Sequence, residues 1–371
     1  MQRDEIQVKA KQTFVEKGSG ILHISMGVGK TKIGIDCIEA NQKVLVAAPY
    51  KSVIDTWKEE FKKWKKSDKN VTYTTTASLG KHTEKKFDLV ILDEIHLYSE
   101  NQLKKVPITK TLGLSGTISD NSAVFIKELT GLEVIFKYTL EDAIRDGIIA
   151  DYKIKVVEVI LDDKDKYVTG GTKVKPFLTT EKAQYDYLTK QFNQLKFAEW
   201  GAVGANKKKY MLLKMQIASK RAKLIYSCKT KIEAAKKVIN NQDNSRLLIF
   251  TTLTETANQL SDYQYHSKAD KDNLELFSSG KIDKLAVVNM ANVGLNIKPL
   301  NKAVVHQFQS SEETAQQRMG RLLRLEYNNP DKVAEVWVIC LVGTVDEEWT
   351  KSALNNIPRN KIEYINIKNL E

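Results

Sequence analysis

The sequence predicts an α/β protein with two parallel-sheet domains in tandem, each sheet flanked by helices. Three observations carry that prediction. Short apolar runs alternate with helical patterns through the first ~120 residues, as expected of strands buried on both faces under crossover helices. The same alternation resumes at Arg246. The length, 371 residues, exceeds what one hydrophobic core ordinarily supports.

Strands of the first domain are expected at Ile21–Ile24, Val44–Ala48, Leu89–Leu92 and Leu112–Leu114. Thr139 to Gly147 reads as a short closing helix, capped by Thr139 and stopped by Gly147. Tyr152–Ile160 alternates like a strand that leaves one unit for the next. Residues 161–177 are polar and contain Gly170-Gly171, so an exposed hairpin or loop is expected there. Helical patterns follow from Thr180 to about Trp200 and from Ala205 to Asn240. Strands of the second domain are expected at Arg246–Phe250, Leu285–Val288, Ala303–His306 and Val336–Leu341. The domains are therefore placed at 1–147 and 241–371, with 148–240 connecting them.

The chain carries 58 Lys and Arg against 46 Asp and Glu, a formal charge of +12. Such an excess favours a polyanionic partner, because neutralising phosphates releases their counterions. Lys207 to Lys237 holds eleven Lys or Arg and one acid, Glu233. That run is either the solvated face of a long helix, with Met211, Leu212, Met215, Ile217, Leu224 and Ile225 packed inward, or part of a phosphate-binding surface. The two readings are compatible. Cys37, Cys228 and Cys340 lack metal-ligand spacing, and the five histidines are equally scattered. A reducing compartment fits; a disulfide framework or a zinc site does not. No apolar stretch is long enough for a bilayer, and Met1 to Lys11 is polar, so a soluble cytoplasmic protein with no membrane partner is expected.

Chemistry enters with Gly27, Val28, Gly29, Lys30 and Thr31, which lie between the run Ile21–Ile24 and the helical pattern Ile33–Ala40. Glycines let the backbone approach a phosphate, and a helix N-terminus offers it unpaired N–H groups. Lys30 would reach the β and γ phosphates of ATP, and Thr31 would ligate Mg2+. The full phosphate-loop pattern has glycine where this chain has Ile24. Leu89–Leu92 runs directly into Asp93 and Glu94; a carboxylate at a buried strand end is placed to hold magnesium, and its neighbour to polarise a water. Leu114-Ser115-Gly116-Thr117 ends the next strand with two hydroxyls beside that centre.

Ala48-Pro49 ends another strand ahead of Ser52 and the helical segment with Trp57, Phe61 and Trp64. Pro49, Ser52, Thr76 and Ser78 are candidate contacts for a sugar-phosphate backbone, whereas the three aromatic rings read as core or as part of that surface. Downstream, Gln317, Arg321 and Arg324 fall on one helical face, with Gly320 between them. Two guanidinium groups so placed suit a γ-phosphate, because Arg offers fork-shaped donors to developing charge. Asn292–Asn296, with Gly294 and Asn296, follows the strand Leu285–Val288 and could line both ATP and nucleic acid.

In this order the segments resemble the superfamily 2 helicases and translocases, most nearly the DExH members of the XPB-like, phage recombination helicase and restriction-translocase branches. The tryptophan helix also resembles that of the chromatin-remodelling translocases. The likeness runs from Arg3 to about Trp349. It implies two tandem RecA-like domains with the nucleotide site in the cleft. Arg3 and Gln7 then look like the adenine-recognition element, Gly27 to Thr31 like motif I, and Ala48 and Pro49 like motif Ia. Thr76 and Ser78 resemble the next strand-contacting motif. Asp93, Glu94 and His96 resemble motif II; Ser115 and Thr117, motif III; Phe250 and Thr251, motif IV, with Thr251 a strand contact; Gly294 and Asn296, motif V; Gln317, Gly320, Arg321 and Arg324, motif VI, with the two arginines as fingers. Gly116 stands where alanine is commoner, and Val288 where a threonine is frequent.

The resemblance implies an ATP- and Mg2+-dependent DNA motor, expected as a monomer, whose His96, Ser115 and Thr117 couple hydrolysis to movement. Compact lysine-rich helicases of this kind are similar to those of bacteriophages. No single residue separates DNA from RNA as the strand. An ATP-gated clamp without net movement is the reading from a different class, favoured by the lack of a clear strand-separating wedge. Any wedge is expected from a short insertion such as residues 161–177.

Overall fold

The computed structural model describes residues 2–25, 27–107, 109–171, 174–242, 245–266, 268–270, 272–288, 300–308, 333–355 and 357–370. By their contacts they divide into two units between Asp151 and Tyr152.

The first unit contains α1 (Arg3–Lys17), β1 (Gly20–Ile24), α2 (Lys30–Asp36), β2 (Val44–Ala48), α3 (Lys51–Lys63), β3 (Val71–Thr75), β4 (Leu89–Asp93), α4 (Glu100–Leu103), β5 (Thr111–Ser115), α5 (Asp120–Thr130), β6 (Val134–Tyr138) and α6 (Leu140–Arg145). Its six strands form one parallel sheet in the order β3-β2-β4-β5-β1-β6. Every residue of β2, β4 and β5 is buried, which is why these strands read as unbroken apolar runs. The edge strands β3 (Val-Thr-Tyr-Thr-Thr) and β6 (Val-Ile-Phe-Lys-Tyr) are half-buried and lack that signature. Ile21, Leu45, Ala47, Val90, Leu92 and Ile95 pack into one core with Leu79, Tyr98 and Leu103. α6 begins as its sequence predicts: the Thr139 hydroxyl accepts from the Asp142 N–H, and the Asp142 carboxylate accepts from the Thr139 N–H, a reciprocal cap.

The second unit holds β7 (Asp151–Val159), β8 (Val168–Gly171), β9 (Pro176–Thr179), α7 (Glu181–Trp200), α8 (Gly204–Ser227), α9 (Lys229–Asn240), β10 (Leu247–Thr251), α10 (Thr254–Leu260), β11 (Gln264–Tyr265), α11 (Asp272–Ser279), β12 (Lys284–Val288), β13 (Lys302–Val305), β14 (Val333–Leu341), α12 (Val345–Ala353) and β15 (Ile362–Asn366). Seven strands make its large sheet, in the order β11-β12-β10-β13-β14-β7-β15. β10 pairs in parallel with β12 and β13, and β13 with β14. β8 and β9 form a separate antiparallel hairpin, the first of the two expectations for residues 161–177.

The fold departs from the sequence expectation at two places. The helical pattern from Ala205 to Asn240 is two helices, because Cys228 adopts an extended conformation (φ −66°, ψ 140°) between α8 and α9. Met211, Leu212 and Met215 do not pack inward: all three are exposed, whereas Ile225 is fully buried and Leu224 packs on the core. The cause is architectural. α7 and α8 pair as a helical hairpin, and no residue between Leu188 and Ile225 is buried, so each distal helix has only its partner to cover it.

Candidate active site

The site is assembled at the carboxyl ends of the first sheet, where parallel sheets place their ligands. After β1 the chain turns through Gly27 (φ 86°) and Gly29 (φ 100°), left-handed conformations that a side chain strains to adopt. A Cβ at Gly29 would lie 2.7 Å from the Gln7 Nε2 atom, and one at Gly27 would lie 2.9 Å from Ile149 Cγ2. The loop is therefore held close on both sides. Gln7 Nε2 donates to the Val28 carbonyl at 2.7 Å, which ties α1 to the loop, and Val28 itself is buried. Arg3 reaches the Ile148 carbonyl at 3.4 Å.

Lys30 and Thr31 open α2 directly after the glycines. The Lys30 ammonium lies 3.5 Å from the Glu94 carboxylate, so the lysine after the glycine turn and the carboxylate after β4 meet although 64 positions separate them. Asp93 ends β4 and is buried. Its Oδ1 accepts from the Glu94 N–H at 3.0 Å, and its Oδ2 from the indole of Trp57 at 2.7 Å. Glu94 is left-handed (φ 50°, ψ 49°), a conformation costing a residue with a Cβ about 1–2 kcal/mol. The following turn holds it: Leu97 N–H donates to the Glu94 carbonyl at 2.9 Å.

Protonation is set by this packing. Burial, and then the charge of Glu94, push the Asp93 carboxyl up to about 6, against the opposing pull of the Trp57 hydrogen bond and Lys30. Burial would raise Glu94 as well, but the Lys30 ammonium and His96 outweigh it and hold Glu94 below the usual carboxylate range. The neighbours thus have opposite tendencies, the arrangement that divides roles between paired acids. Burial lowers His96 to about 4, so its imidazole is neutral near pH 7.

The tautomer of His96 follows from its partners. Ser115 Oγ donates its one proton to the Thr117 carbonyl at 2.6 Å and accepts from the Thr117 N–H at 3.2 Å. His96 Nδ1, 2.7 Å from the same oxygen, must then be the donor. His96 Nε2 is left as an acceptor, buried without a hydrogen-bond partner, as is the Thr117 hydroxyl. His96, Ser115 and Thr117 thus form one linked unit against Glu94, whose Oε2 lies 3.6 Å from His96 Nδ1.

Two participants escaped the sequence reading. Trp57, whose sequence position suits either core or a nucleic-acid surface, is fully buried, and its indole N–H donates to Asp93. His23, near the end of β1, is lowered to about 4 by burial and by the charges of Lys137 and Lys30, and lines a ~320 Å³ cavity with Ile118, Asp120 and Lys137. Its only signal was a histidine inside an otherwise apolar strand. Phe61 is core, and Trp64 is exposed.

Pro49 follows β2, and Thr76 and Ser78 sit in the 3-10 helix Thr76–His82 after β3, all partly accessible. Thr251 is buried at the end of β10, where its hydroxyl donates to the Leu253 carbonyl at 3.3 Å. Gly294, Asn296, Gln317, Gly320, Arg321 and Arg324 lie outside the described residues, as does the side chain of Ser52. A divalent cation would find oxygen donors in the Asp93 carboxylate and the Thr31 hydroxyl, the sparse ligation that leaves magnesium its waters and phosphates. Among the described residues no cluster of three His, Cys, Asp or Glu offers an all-protein metal cage, and no helix is long and apolar enough to cross a membrane.

Residues 230–326 match the family described as helicase conserved C-terminal domain. The chain is 23% identical over 373 aligned residues to the DNA 3'-5' translocase XPB2 of Sulfurisphaera tokodaii, covering 92% of this chain and 82% of that protein. Among solved structures it is similar to the Hef helicase domain of Pyrococcus furiosus, with TM-score 0.51 and 16% identity, over 95% of this chain and 97% of that one. It is also similar to a putative HsdR subunit of a type I restriction enzyme from Vibrio vulnificus, with TM-score 0.59 and 14% identity, over 98% of this chain and 68% of that one. The DNA-bound type ISP restriction-modification enzyme LlaBIII gives TM-score 0.61 and 14% identity, over 97% of this chain but 31% of the larger protein.

Proposed function

We propose that this chain, which has the superfamily 2 DExH-type helicase and translocase fold and matches XPB-like and restriction-enzyme relatives at low identity, is a DNA-dependent ATPase that translocates on or unwinds DNA. The observation that carries the reading is the meeting of Lys30 with Glu94 at 3.5 Å, beside a buried Asp93 at the end of β4. A phosphate-binding lysine, a carboxylate to hold magnesium and a second to orient the attacking water are what MgATP hydrolysis asks of one domain.

In this reading Gly27, Val28, Gly29 and Lys30 hold the phosphates, and Arg3 and Gln7 lie toward the adenine. Asp93 and Thr31 hold magnesium, which supplies charge neutralisation at the phosphates when bound. Glu94, kept ionised by Lys30, accepts a proton from the attacking water. Arg321 and Arg324, with Gln317, Gly294 and Asn296, complete the site from the domain at 241–371, so turnover depends on domain closure. His96, Ser115 and Thr117 couple that event to the strand-binding residues, proposed as Pro49, Ser52, Thr76 and Ser78, whereas the buried Thr251 is left to packing at the end of β10. DNA is favoured over RNA as the strand because one relative is named a DNA translocase and one similar structure is DNA-bound.

ATP turnover measured alone and with single-stranded, duplex and forked DNA and with RNA tests the reading. Stimulation by DNA is expected, and Glu94→Gln should bind ATP without turning it over. Normal turnover by that variant would defeat the assignment of Glu94, and an unaltered rate in Arg321→Ala would defeat the two-domain site.

A further inference from the structure

The α7–α8 hairpin ends in a surface that its own packing does not explain. Phe197 is 75% exposed, Trp200 84% and Val203 85%, and the two aromatic rings lie 6.3 Å apart at the tip. Monomeric proteins rarely leave such rings together in water without a use for them. The turn is also built against local preference. α8 starts without a side-chain cap, has no acid in its first turn, and follows its start with Lys207, Lys208 and Lys209. Positive charge near a helix N-terminus opposes the helix dipole, and a broken local rule without structural return points to function.

Charge identifies the occupant. From Glu181 to Ser227 the hairpin has ten Lys and Arg and three acids. Glu181 is buried, Asp186 pairs with Lys182, and Glu199 pairs with Lys214. No acid of the hairpin is left to balance the three consecutive lysines. Exposed aromatic faces beside unbalanced lysines match a strand whose bases are unpaired, since every base has a stacking face and every phosphate a charge. A purely apolar protein partner would leave the three lysines unused.

We propose that the hairpin tip binds single-stranded nucleic acid, with Phe197 and Trp200 stacking on unpaired bases and Lys207, Lys208 and Lys209 on the adjoining phosphates. This places a strand-engaging element outside residues 161–177. It rests on the nucleic-acid reading of the protein and deepens it.

Binding of the full-length protein to a labelled single strand and to a blunt duplex of matched sequence tests the proposal, with thermal midpoints as the check on folding. F197A/W200A is expected to bind the single strand about twentyfold or more weakly, with a much smaller loss on the duplex. W200F should keep most of the affinity. K207Q/K208Q/K209Q should make log K less steep against log salt by about 2. Wild-type affinity in F197A/W200A, or equal losses on strand and duplex, overturns base stacking while leaving the motor reading intact. If the wild-type protein neither binds a strand nor is stimulated by one, both fall. A concentration-dependent dimer that F197A/W200A dissolves, with strand affinity unchanged, assigns the tip to a second copy instead.

Discussion

Trp57 Nε1 donates to Asp93 Oδ2 across 2.7 Å, so a side chain with the sequence signature of core also fixes the carboxylate proposed to hold magnesium. A hydrogen bond to a charged acceptor contributes about 1.5–3 kcal/mol. Trp57→Phe keeps most of the apolar volume and removes the donor, which would raise the Asp93 carboxyl further. Magnesium affinity in the presence of ATP should fall roughly tenfold, while metal-free nucleotide binding should change little. Titration of Mg2+ against bound nucleotide checks this; an unchanged midpoint would show that the indole only fills space.

The same indole makes Gly34 a packing position. A Cβ at Gly34 would lie 2.5 Å from Trp57 Cη2 and 3.1 Å from Leu114 Cδ1, so alanine there must displace the ring. Gly34→Ala is expected to destabilise the fold by about 1–3 kcal/mol through overpacking and to reproduce the magnesium defect of Trp57→Phe. Denaturant unfolding together with the metal titration separates the effects. A destabilised protein with normal magnesium affinity would mean that the ring moves without releasing Asp93.

Legibility in the sequence followed burial. β2 and β4 were visible because every one of their residues is buried and so apolar, or acidic only at the carboxyl end of β4, Asp93. β3, β6 and β15 were not, because edge strands with half-exposed faces admit Thr, Lys and Asn and lose the continuous apolar run. In the candidate site, Lys30 and Glu94 stand out in the sequence because a charged residue at the end of an apolar strand or beside glycines has few structural uses, and the fold brings the two to 3.5 Å. Trp57 and His23 were illegible in role because large rings inside apolar patterns have many. The exposure of Met211, Leu212 and Met215 was hidden too: spacing states which residues share a helical face but not whether anything covers it.

Asp93 also gives the protein a pH signature. Its carboxyl stands at about 6 in the fold against an ordinary 3.8, so between these values the folded state binds more protons than the unfolded one. Stability from this group therefore rises as pH falls from about 6 to about 4, by an amount on the order of 2–3 kcal/mol. Asn at this position cannot titrate. The stability difference between wild type and Asp93→Asn, measured by denaturant unfolding without magnesium, should shift toward wild type over that window. Saturating Mg2+ should suppress the shift by holding the carboxylate ionised. A difference independent of pH would contradict the raised value.

In the second unit, Lys231 on α9 and Asp346 on α12 are both fully buried, with Lys231 Nζ 2.5 Å from Asp346 Oδ2. That oxygen also accepts from the Leu341 N–H at 2.9 Å, so the carboxylate joins α9, β14 and α12 at one point. Removing one partner of a buried pair strands the other charge, which costs about 3–5 kcal/mol. Lys231→Met should pay that cost in full. Asp346→Asn should do so too, since it leaves the ammonium unpaired while its amide oxygen can still accept from Leu341. Combining the two substitutions removes both charges and keeps the Leu341 hydrogen bond, so the double variant should be more stable than either single one. Unfolding free energies of the four proteins form a closed cycle. Additive losses would mean that each group is stabilised by something other than its partner.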